Sequence, residues 1–218
     1  MRVNWHRLTV ICGIVGALII AAACVGSALA YSGKSGQPYS PLNHFVSELG
    51  EVGVSPLAAV FNAALLIGGA GIAVALAGIA TRLRGPIRYC FGAAGLMAGL
   101  SGMAVGLFPM NDFHSHALAA VIFFNTGWIA VALFSIYAYS PRQDVCPRWL
   151  ALVGLPCIAS FLAFIVLMKD ESLDAFADPS AFRPDVWPLT IFEWLVIAFV
   201  LVWIVAVSVQ LNRRTGDA

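Results

Sequence analysis

Residues Tyr89–Phe108 read YCFGAAGLMAGLSGMAVGLF, a run of 20 residues without a single charged side chain. A second such run, Phe113–Ser140, follows after only four residues, Pro109–Asp112. A helix that rises about 1.5 Å per residue needs about 20 residues to cross a hydrocarbon core of roughly 30 Å. The two runs therefore predict two membrane-spanning helices that are joined by a short polar turn at the membrane surface.

The rest of the chain has the same character. Of its 218 residues 61% are hydrophobic and 11% are charged, and the mean hydropathy is +0.89, whereas soluble domains carry about 25% charged residues. We therefore predict an all-α integral membrane protein, a six-transmembrane-helix bundle that forms a single domain over residues 1–218. The six predicted spans are residues 8–31, 57–81, 89–108, 113–140, 149–168 and 188–211.

Charges in the loops orient this bundle. Nine of the twelve basic residues fall on one side, which by the positive-inside rule is cytoplasmic. We therefore expect a multi-pass protein of the cell membrane with both termini in the cytoplasm. The nine residues are Arg2, Arg7, Arg82, Arg84, Arg88, Arg142, Arg148, Arg213 and Arg214.

The opposite loops are acidic, with eight Asp and Glu residues against Lys34, Lys169 and Arg183.

The first span ends in Ala28-Leu29-Ala30, which resembles a signal-peptide cleavage site. Its removal would leave five spans and break the alternation of loop charge, so we expect this span to be retained.

Composition also excludes several classes of partner and site. The net charge is +1 and no run of basic residues occurs, so we expect no nucleic acid partner. The five cysteines show neither a CxxC spacing nor a pairing pattern, and we expect no disulfide framework. The expected partners are the lipid bilayer and a lipid or other small molecule.

Span three carries five glycines at intervals of three and four, which places them on one stripe of a helix. Such a stripe lets another helix approach closely. The partner can be a helix of the same chain, with span three at the centre of a monomer, or the same stripe of a second copy in a homodimer. We favour the monomer, with Gly68, Gly69 and Gly71 of span two on the facing surface. The stripe consists of Gly92, Gly95, Gly99, Gly102 and Gly106.

The first outer loop predicts a short amphipathic helix that starts at Ser40-Pro41 and stops at Gly50. Its apolar residues, Leu42, Phe45, Val46 and Leu49, recur at helical spacing, so the helix should lie on the membrane or fold into the mouth of the bundle. Three polar residues of this segment are candidate site residues: His44, Ser47 and Glu48.

The turn between spans three and four contributes further candidates. Asp112 can cap span four, and His114 and His116 follow in its first turn. Residues at i and i+2 point about 200° apart on a helix, so both histidines cannot face the bundle. We take Asp112 and His116 as the inward pair and His114 as peripheral.

Glu193 interrupts the last span about five residues from its outer end. A carboxylate in lipid costs several kcal/mol unless it is paired, protonated or hydrated, so an intramembrane acid is a functional candidate. Asn62, at a comparable depth in span two, could donate a hydrogen bond to it. Asn125, near the middle of span four, is expected to bond a neighbouring helix.

Several of these elements resemble one family. Ser47-Glu48-Leu49-Gly50, Gly106-Leu107-Phe108-Pro109 followed by Asp112, and Glu193 in the last span are similar to the prokaryotic membrane family called domain of unknown function 998. The resemblance covers about residues 10–210 and implies a six-span bundle with polar residues near one face. The last-span acid of that family is often followed by arginine, whereas Trp194 follows it here. No catalytic assignment accompanies the resemblance.

Three classes of function remain open. The first is a non-enzymatic protein whose extracytoplasmic polar cluster binds a lipid or an envelope-related molecule. The second is a membrane-embedded, metal-dependent hydrolase or transferase that acts on lipid at the outer leaflet. The third is an ion or proton transporter, although the inverted repeats or broken helices typical of transporters are not evident. The candidate cluster for any of these roles is His44, Ser47, Glu48, Asp112, His116 and Glu193.

In the enzyme hypothesis, zinc is the expected cofactor because nitrogen and carboxylate ligands suit it. One remaining acid would then act as general base. Ser47 activated by His44 is a less favourable nucleophile, because i and i+3 neighbours on one helix seldom align for proton transfer. The predicted zinc ligands are His44, Glu48, Asp112 and His116.

Overall fold

The described part of the chain folds into six long helices. The computed structural model describes residues 5–33, 36–141, 143, 145–169 and 183–216. All six helices are long and apolar enough to cross a membrane, which confirms the predicted all-α architecture and the six spans. The helices are α1 Trp5–Ala30, α2 Ala58–Ala80, α3 Ile87–Leu107, α4 Phe113–Tyr139, α5 Trp149–Met168 and α6 Pro188–Gly216.

The helices close into a ring. Each packs against its neighbours in the chain, and α6 returns to pack against α1. The loop between α1 and α2, the turn between α3 and α4 and the start of α6 therefore meet at one end of the bundle, which we call the loop end. This arrangement brings side chains that are far apart in sequence around a common interior.

The glycine stripe of α3 is used within one chain. A methyl group placed on Gly99 would lie 2.7 Å from Cβ of Ala73, and one on Gly106 would lie 2.7 Å from the backbone oxygen of Asn62. Both contacts are with α2, so the missing side chains allow α2 and α3 to approach closely. The expectation that α3 is a central helix is wrong, because α3 is a member of the ring and Leu96 on its other side is exposed.

The glycines of α2 divide between two neighbours. Gly69 faces Met103 of α3, as predicted. Gly68 and Gly71 instead approach the backbone of α1, at Gly16 and Cys12 respectively. The small residues of α2 therefore allow close packing on both of its sides.

The first loop contains a shorter helix than the sequence pattern predicts. Only Val46–Gly50 is helical, as a 3-10 helix, and all five of its residues are buried in the loop end. We call this segment the loop helix. Of the two predicted locations, the mouth of the bundle is therefore the one observed.

Contacts with α6 explain why the helix does not extend back to Ser40. In a continuous α-helix the N–H of Val46 would donate to the backbone oxygen of Leu42. Here that oxygen accepts instead from the N–H of Trp187 at 2.7 Å, and the N–H of Val46 donates to Oε2 of Glu193 at 2.6 Å. Both partners of the expected helical hydrogen bond are thus taken by the last span and the residue before it.

Candidate functional site

A buried ion pair ties the first loop to the segment that precedes α6. Arg183 Nη2 lies 2.6 Å from Glu48 Oε2, and Arg183 Nη1 lies 3.2 Å from Glu48 Oε1, so the contact is bidentate. The Glu48 side chain is 3% exposed and also accepts from the N–H of Phe45 at 2.7 Å. Arg183 donates in addition to the backbone oxygen of Asn43. Glu48 therefore has a structural partner for its charge.

Aromatic side chains surround this ion pair. Tyr39 donates its hydroxyl hydrogen to the backbone oxygen of Phe45 at 2.8 Å and accepts from Trp194 Nε1 at 2.9 Å. The ring of His44 lies 5.4 Å from that of Tyr31 and 5.0 Å from that of Tyr39. Burial, followed by the nearby charge of Glu193, raises the pKa of Tyr39 well above its ordinary value, so its hydroxyl remains a donor.

His44 belongs to this structural layer. Its Nδ1 lies 2.9 Å from Oδ1 of Asn43 and 3.3 Å from the backbone oxygen of Ser40. Burial is the main cause that lowers the pKa of His44 to about 4, and the charge of Arg183 acts in the same direction. His44 is therefore neutral at physiological pH, and no hydrogen bond joins it to Ser47 in the described part of the chain.

Glu193 supports the start of the loop helix. Oε2 of its carboxyl group accepts from the N–H of Val46 at 2.6 Å. The side chain is 8% exposed. No basic side chain among the described residues lies within ion-pair distance of it. Glu193 thus satisfies a backbone donor of the loop helix and has no cationic partner in that part of the structure.

His116 lies in the first turn of α4 and is 6% exposed. Its Nδ1 lies 2.8 Å from the backbone oxygen of Phe108, which holds the ring as an Nδ1–H donor in the neutral state. Its Nε2 has no hydrogen-bond partner in residues 5–33, 36–141, 143, 145–169 and 183–216. The free nitrogen is therefore an acceptor, an arrangement typical of a ligand-binding or proton-accepting histidine.

Two adjacent cavities meet these polar groups. The first, about 120 Å³, lies inside the ring and extends along it with walls from all six helices. The second, about 270 Å³, lies between the loop-end halves of α4 and α5, where Phe113 and Met168 line it. The residues common to both walls are Ser47, His116, Ala120, Phe124 and Glu193.

The first cavity is apolar along its length. Its wall residues deeper in the ring are aliphatic or aromatic, whereas its polar residues belong to the loop end. Helix by helix from α1 to α6, examples of the wall residues are Ile20, Leu65, Ala98, Phe123, Phe161 and Ile197. The cavity therefore joins an apolar interior to a polar mouth.

Asp112 and His114 lie outside this mouth. Asp112 is exposed and caps α4, where its carboxylate accepts from the N–H of Ser115 at 3.3 Å. Hydrogen bonds from Ser115 lower the pKa of Asp112. The exposed His114 is peripheral, as predicted, but the inward orientation predicted for Asp112 is wrong. Beside them Asn111 clamps the first loop, because its amide exchanges hydrogen bonds of 2.8 and 3.0 Å with the backbone of Val52.

The six predicted site residues thus fall into three places. Ser47, His116 and Glu193 share the cavity mouth, His44 and Glu48 belong to the aromatic and ionic layer, and Asp112 lies at the surface. Within the described ranges, no three His, Cys, Asp or Glu side chains form a group that could hold a metal ion. Zinc bound by His44, Glu48, Asp112 and His116 stays a prediction, and the proposal below rests on the cavity mouth.

Two asparagines have partners other than those expected. Asn62 donates to the backbone oxygen of Gly50 at 2.9 Å and so stabilises the end of the loop helix. Its partner is therefore Gly50 and not the expected Glu193. Asn125 is exposed and donates to Val121 of its own helix at 2.8 Å, so the expected bond to a neighbouring helix is wrong. In both cases a backbone oxygen, which no sequence pattern reveals, is the acceptor.

Sequence reasoning missed three residues of the loop end: Arg183, Tyr39 and Trp194. In the sequence Arg183 is one of the loop charges, and nothing there pairs it with Glu48, which is 135 residues away. One signal was available, because Arg183 is one of three basic residues in loops that carry eight acids. Trp194 departs from the family pattern, and in the structure its Nε1 donates to the hydroxyl of Tyr39.

Comparison with known proteins identifies the family. A family model described as protein of unknown function, DUF998, matches residues 14–210. The chain belongs to the DUF998 family. No curated protein and no solved structure matches the chain. The DUF998 assignment confirms the resemblance that the polar motifs indicated, and it brings no biochemical role with it.

Proposed function

We propose that this DUF998 protein binds one chain of a lipid in the cavities inside its ring, with the head group at Ser47, His116 and Glu193. Of the three classes of function considered, this one accounts for both parts of the site. The observation that carries it is an apolar interior that ends at buried polar groups. Ligand sites commonly combine such walls with a few placed polar groups.

The volume of the cavities suits a single chain. A cavity of roughly 150 Å³ holds one benzene molecule, so cavities of about 120 and 270 Å³ together hold on the order of 15 carbon atoms. Their summed volume also lies near the lower end of the range of small-molecule pockets, roughly 300–1,000 Å³. A single-chain lipid, or one chain of a larger lipid, matches this capacity.

The second cavity suggests the entry route. It lies between the loop-end halves of α4 and α5, and Val121 in its wall is 41% exposed on the outside of the ring. A lipid in the adjacent leaflet would therefore enter sideways between these helices. By the orientation that the loop charges predict, that leaflet is the outer one.

Photo-crosslinking tests the proposal. The probe is a monoacylglycerol with a 14-carbon chain and a diazirine at the end of that chain, added to the purified protein. We expect saturable labelling of cavity-wall peptides, such as those with Phe123 and Phe161, that is competed by unlabelled monoacylglycerol. Labelling confined to lipid-facing positions, without saturation, would overturn the proposal.

A matched pair of variants on α4 provides the control. Ala120 lines both cavities, so Ala120→Phe should fill them and reduce specific labelling by about tenfold or more. Leu118 is 59% exposed on the same helix, so Leu118→Phe should leave labelling unchanged. Leu65→Trp fills the first cavity from α2 and serves if Ala120→Phe elutes as an aggregate in size-exclusion chromatography.

A further inference from the structure

The polar groups at the cavity mouth include a histidine nitrogen that can only accept a hydrogen bond, and no described basic side chain lies among them. From this we infer that the bound lipid has a head group that donates hydrogen bonds and carries no negative charge, namely a hydroxyl or an ammonium group. The inference rests on the proposed function, because it specifies the head group of the lipid proposed above. It follows from the hydrogen-bonding state of three residues and from the placement of charge around them.

His116 supplies the first acceptor. Because Phe108 fixes its Nδ1 as the donor, Nε2 offers a lone pair. The ring is 6% exposed and lines both cavities, and Nε2 has no partner among the described residues. Because this acceptor belongs to a residue that lines the cavities and has no described protein partner there, a head group that donates a hydrogen bond to it is favoured.

Glu193 supplies the second acceptor and the selectivity. The N–H of Val46 already donates to Oε2 of its carboxyl group. The carboxyl oxygens can accept further hydrogen bonds, and no described basic side chain forms an ion pair with the group. A hydroxyl can donate to such a group and an ammonium group would stabilise its ionised form, whereas a carboxylate or phosphate would find no cation there to balance its charge.

Placement of the basic residues supports the same choice. No lysine or arginine of the described chain lines either cavity. Arg183, at the loop end, is already bidentate to Glu48 and is bonded to the backbone of Asn43. Recognition of an anionic head group usually requires such a guanidinium or ammonium group to be free. Ser47 in the shared wall can donate or accept, so it fits either a hydroxyl or an amine.

Competition with three probes of equal chain length tests the inference. Monomyristoylglycerol, tetradecylamine and myristate are titrated against the photoprobe at about pH 8, where the amine is protonated and the acid is ionised. We expect monomyristoylglycerol and tetradecylamine to compete with the photoprobe. Myristate should need a concentration at least about tenfold higher to reduce labelling equally. Equal competition by myristate would overturn the inference.

Glu193→Gln separates charge from hydrogen bonding, because glutamine keeps an oxygen that can accept from the N–H of Val46. In this variant we expect tetradecylamine to lose about tenfold in competition, while monomyristoylglycerol changes by less than about threefold. An unchanged preference between amine and myristate would overturn the role of the charge. If the variant does not fold, the comparison of the three probes on the wild-type protein remains decisive.

Failure of the head-group inference differs from failure of the proposed function. If all three competitors reduce labelling equally and Ala120→Phe abolishes specific labelling, the cavity binds lipid without selecting this head group. If none competes and Ala120→Phe has no effect on labelling, the cavity is not a lipid site and both proposals fail.

Discussion

Replacing Arg183 by glutamine should destabilise the loop end more than any comparable change to an exposed arginine. The substitution removes both hydrogen bonds to Glu48 and the bond to Asn43. The Glu48 side chain, which is only 3% exposed, then has no counter-ion. The N–H of Phe45 would remain as a donor to Glu48. A buried charge that loses its partner is costly because water cannot replace the lost interaction.

The size of the effect follows from this geometry. Breaking a buried ion pair by removing one partner costs about 3–5 kcal/mol. Since Arg183 is 13% exposed and Phe45 still donates to Glu48, we expect about 3 kcal/mol, at the lower end of that range. For a chain of this size each kcal/mol shifts Tm by roughly 2–4 °C, which gives a decrease of roughly 6–12 °C.

Thermal unfolding followed with a thiol-reactive fluorophore measures this decrease in detergent. The reagent reports on unfolding because Cys24, Cys146 and Cys157 are buried in the folded chain. Arg148→Gln is the matched control, since Arg148 is exposed at the opposite end of the bundle. Its Tm should change by less than about 2 °C, because exposed charges contribute about 0–1 kcal/mol.

A double-mutant cycle identifies the pair itself as the cause. Glu48→Gln combined with Arg183→Gln strands no charge, so the double variant should be less destabilised than the sum of the single variants, by about 1.5 kcal/mol or more. Equal Tm values for Arg183→Gln and Arg148→Gln, or a coupling energy below about 0.5 kcal/mol, would refute the assigned role of the ion pair.

Three further substitutions test the packing and electrostatics of the fold. Gly99→Leu should prevent folding, as measured by size-exclusion chromatography, because α2 lies too close for a side chain, whereas Ala93→Leu on the exposed side of α3 should fold. Glu193→Leu should lower Tm more than Glu193→Gln, because leucine leaves the N–H of Val46 in the loop helix without an acceptor, at about 1–3 kcal/mol. His44 has a pKa of about 4 when folded against 6.5 when unfolded, so its stabilising contribution is complete above about pH 6.5 and is lost as pH falls toward 4. His44→Gln should therefore lose less Tm between about pH 7 and pH 4.5 than the wild-type protein, and equal losses would contradict this assignment.

The spans were predictable because lipid imposes them on each segment separately. A helix must be long and apolar enough to cross the membrane whatever it packs against, so the predicted span 149–168 agrees with α5, Trp149–Met168. The loop helix was less predictable, because its length depends on α6. The apolar spacing in the first loop fits a longer helix, but Trp187 and Glu193 take the hydrogen bonds that the longer helix needs.

The residues of the candidate site could be predicted from the sequence, but their hydrogen-bond and ion-pair partners could not. Ser47, His116 and Glu193 stand out as polar side chains in apolar surroundings, and ring closure brings them to one cavity mouth. His44 and Glu48 have the same signature in the sequence, yet they serve a structural layer. The distinction depends on Arg183, whose position relative to the first loop follows only from the packing of α6 against α1.

Native mass spectrometry of the purified protein tests the central claim most directly, because it counts the lipid molecules that remain bound after detergent is removed. We expect wild-type protein and Leu118→Phe to retain one lipid molecule, and Ala120→Phe to retain none. Equal retention by Ala120→Phe and Leu118→Phe would contradict the claim that the lipid occupies the interior of the ring.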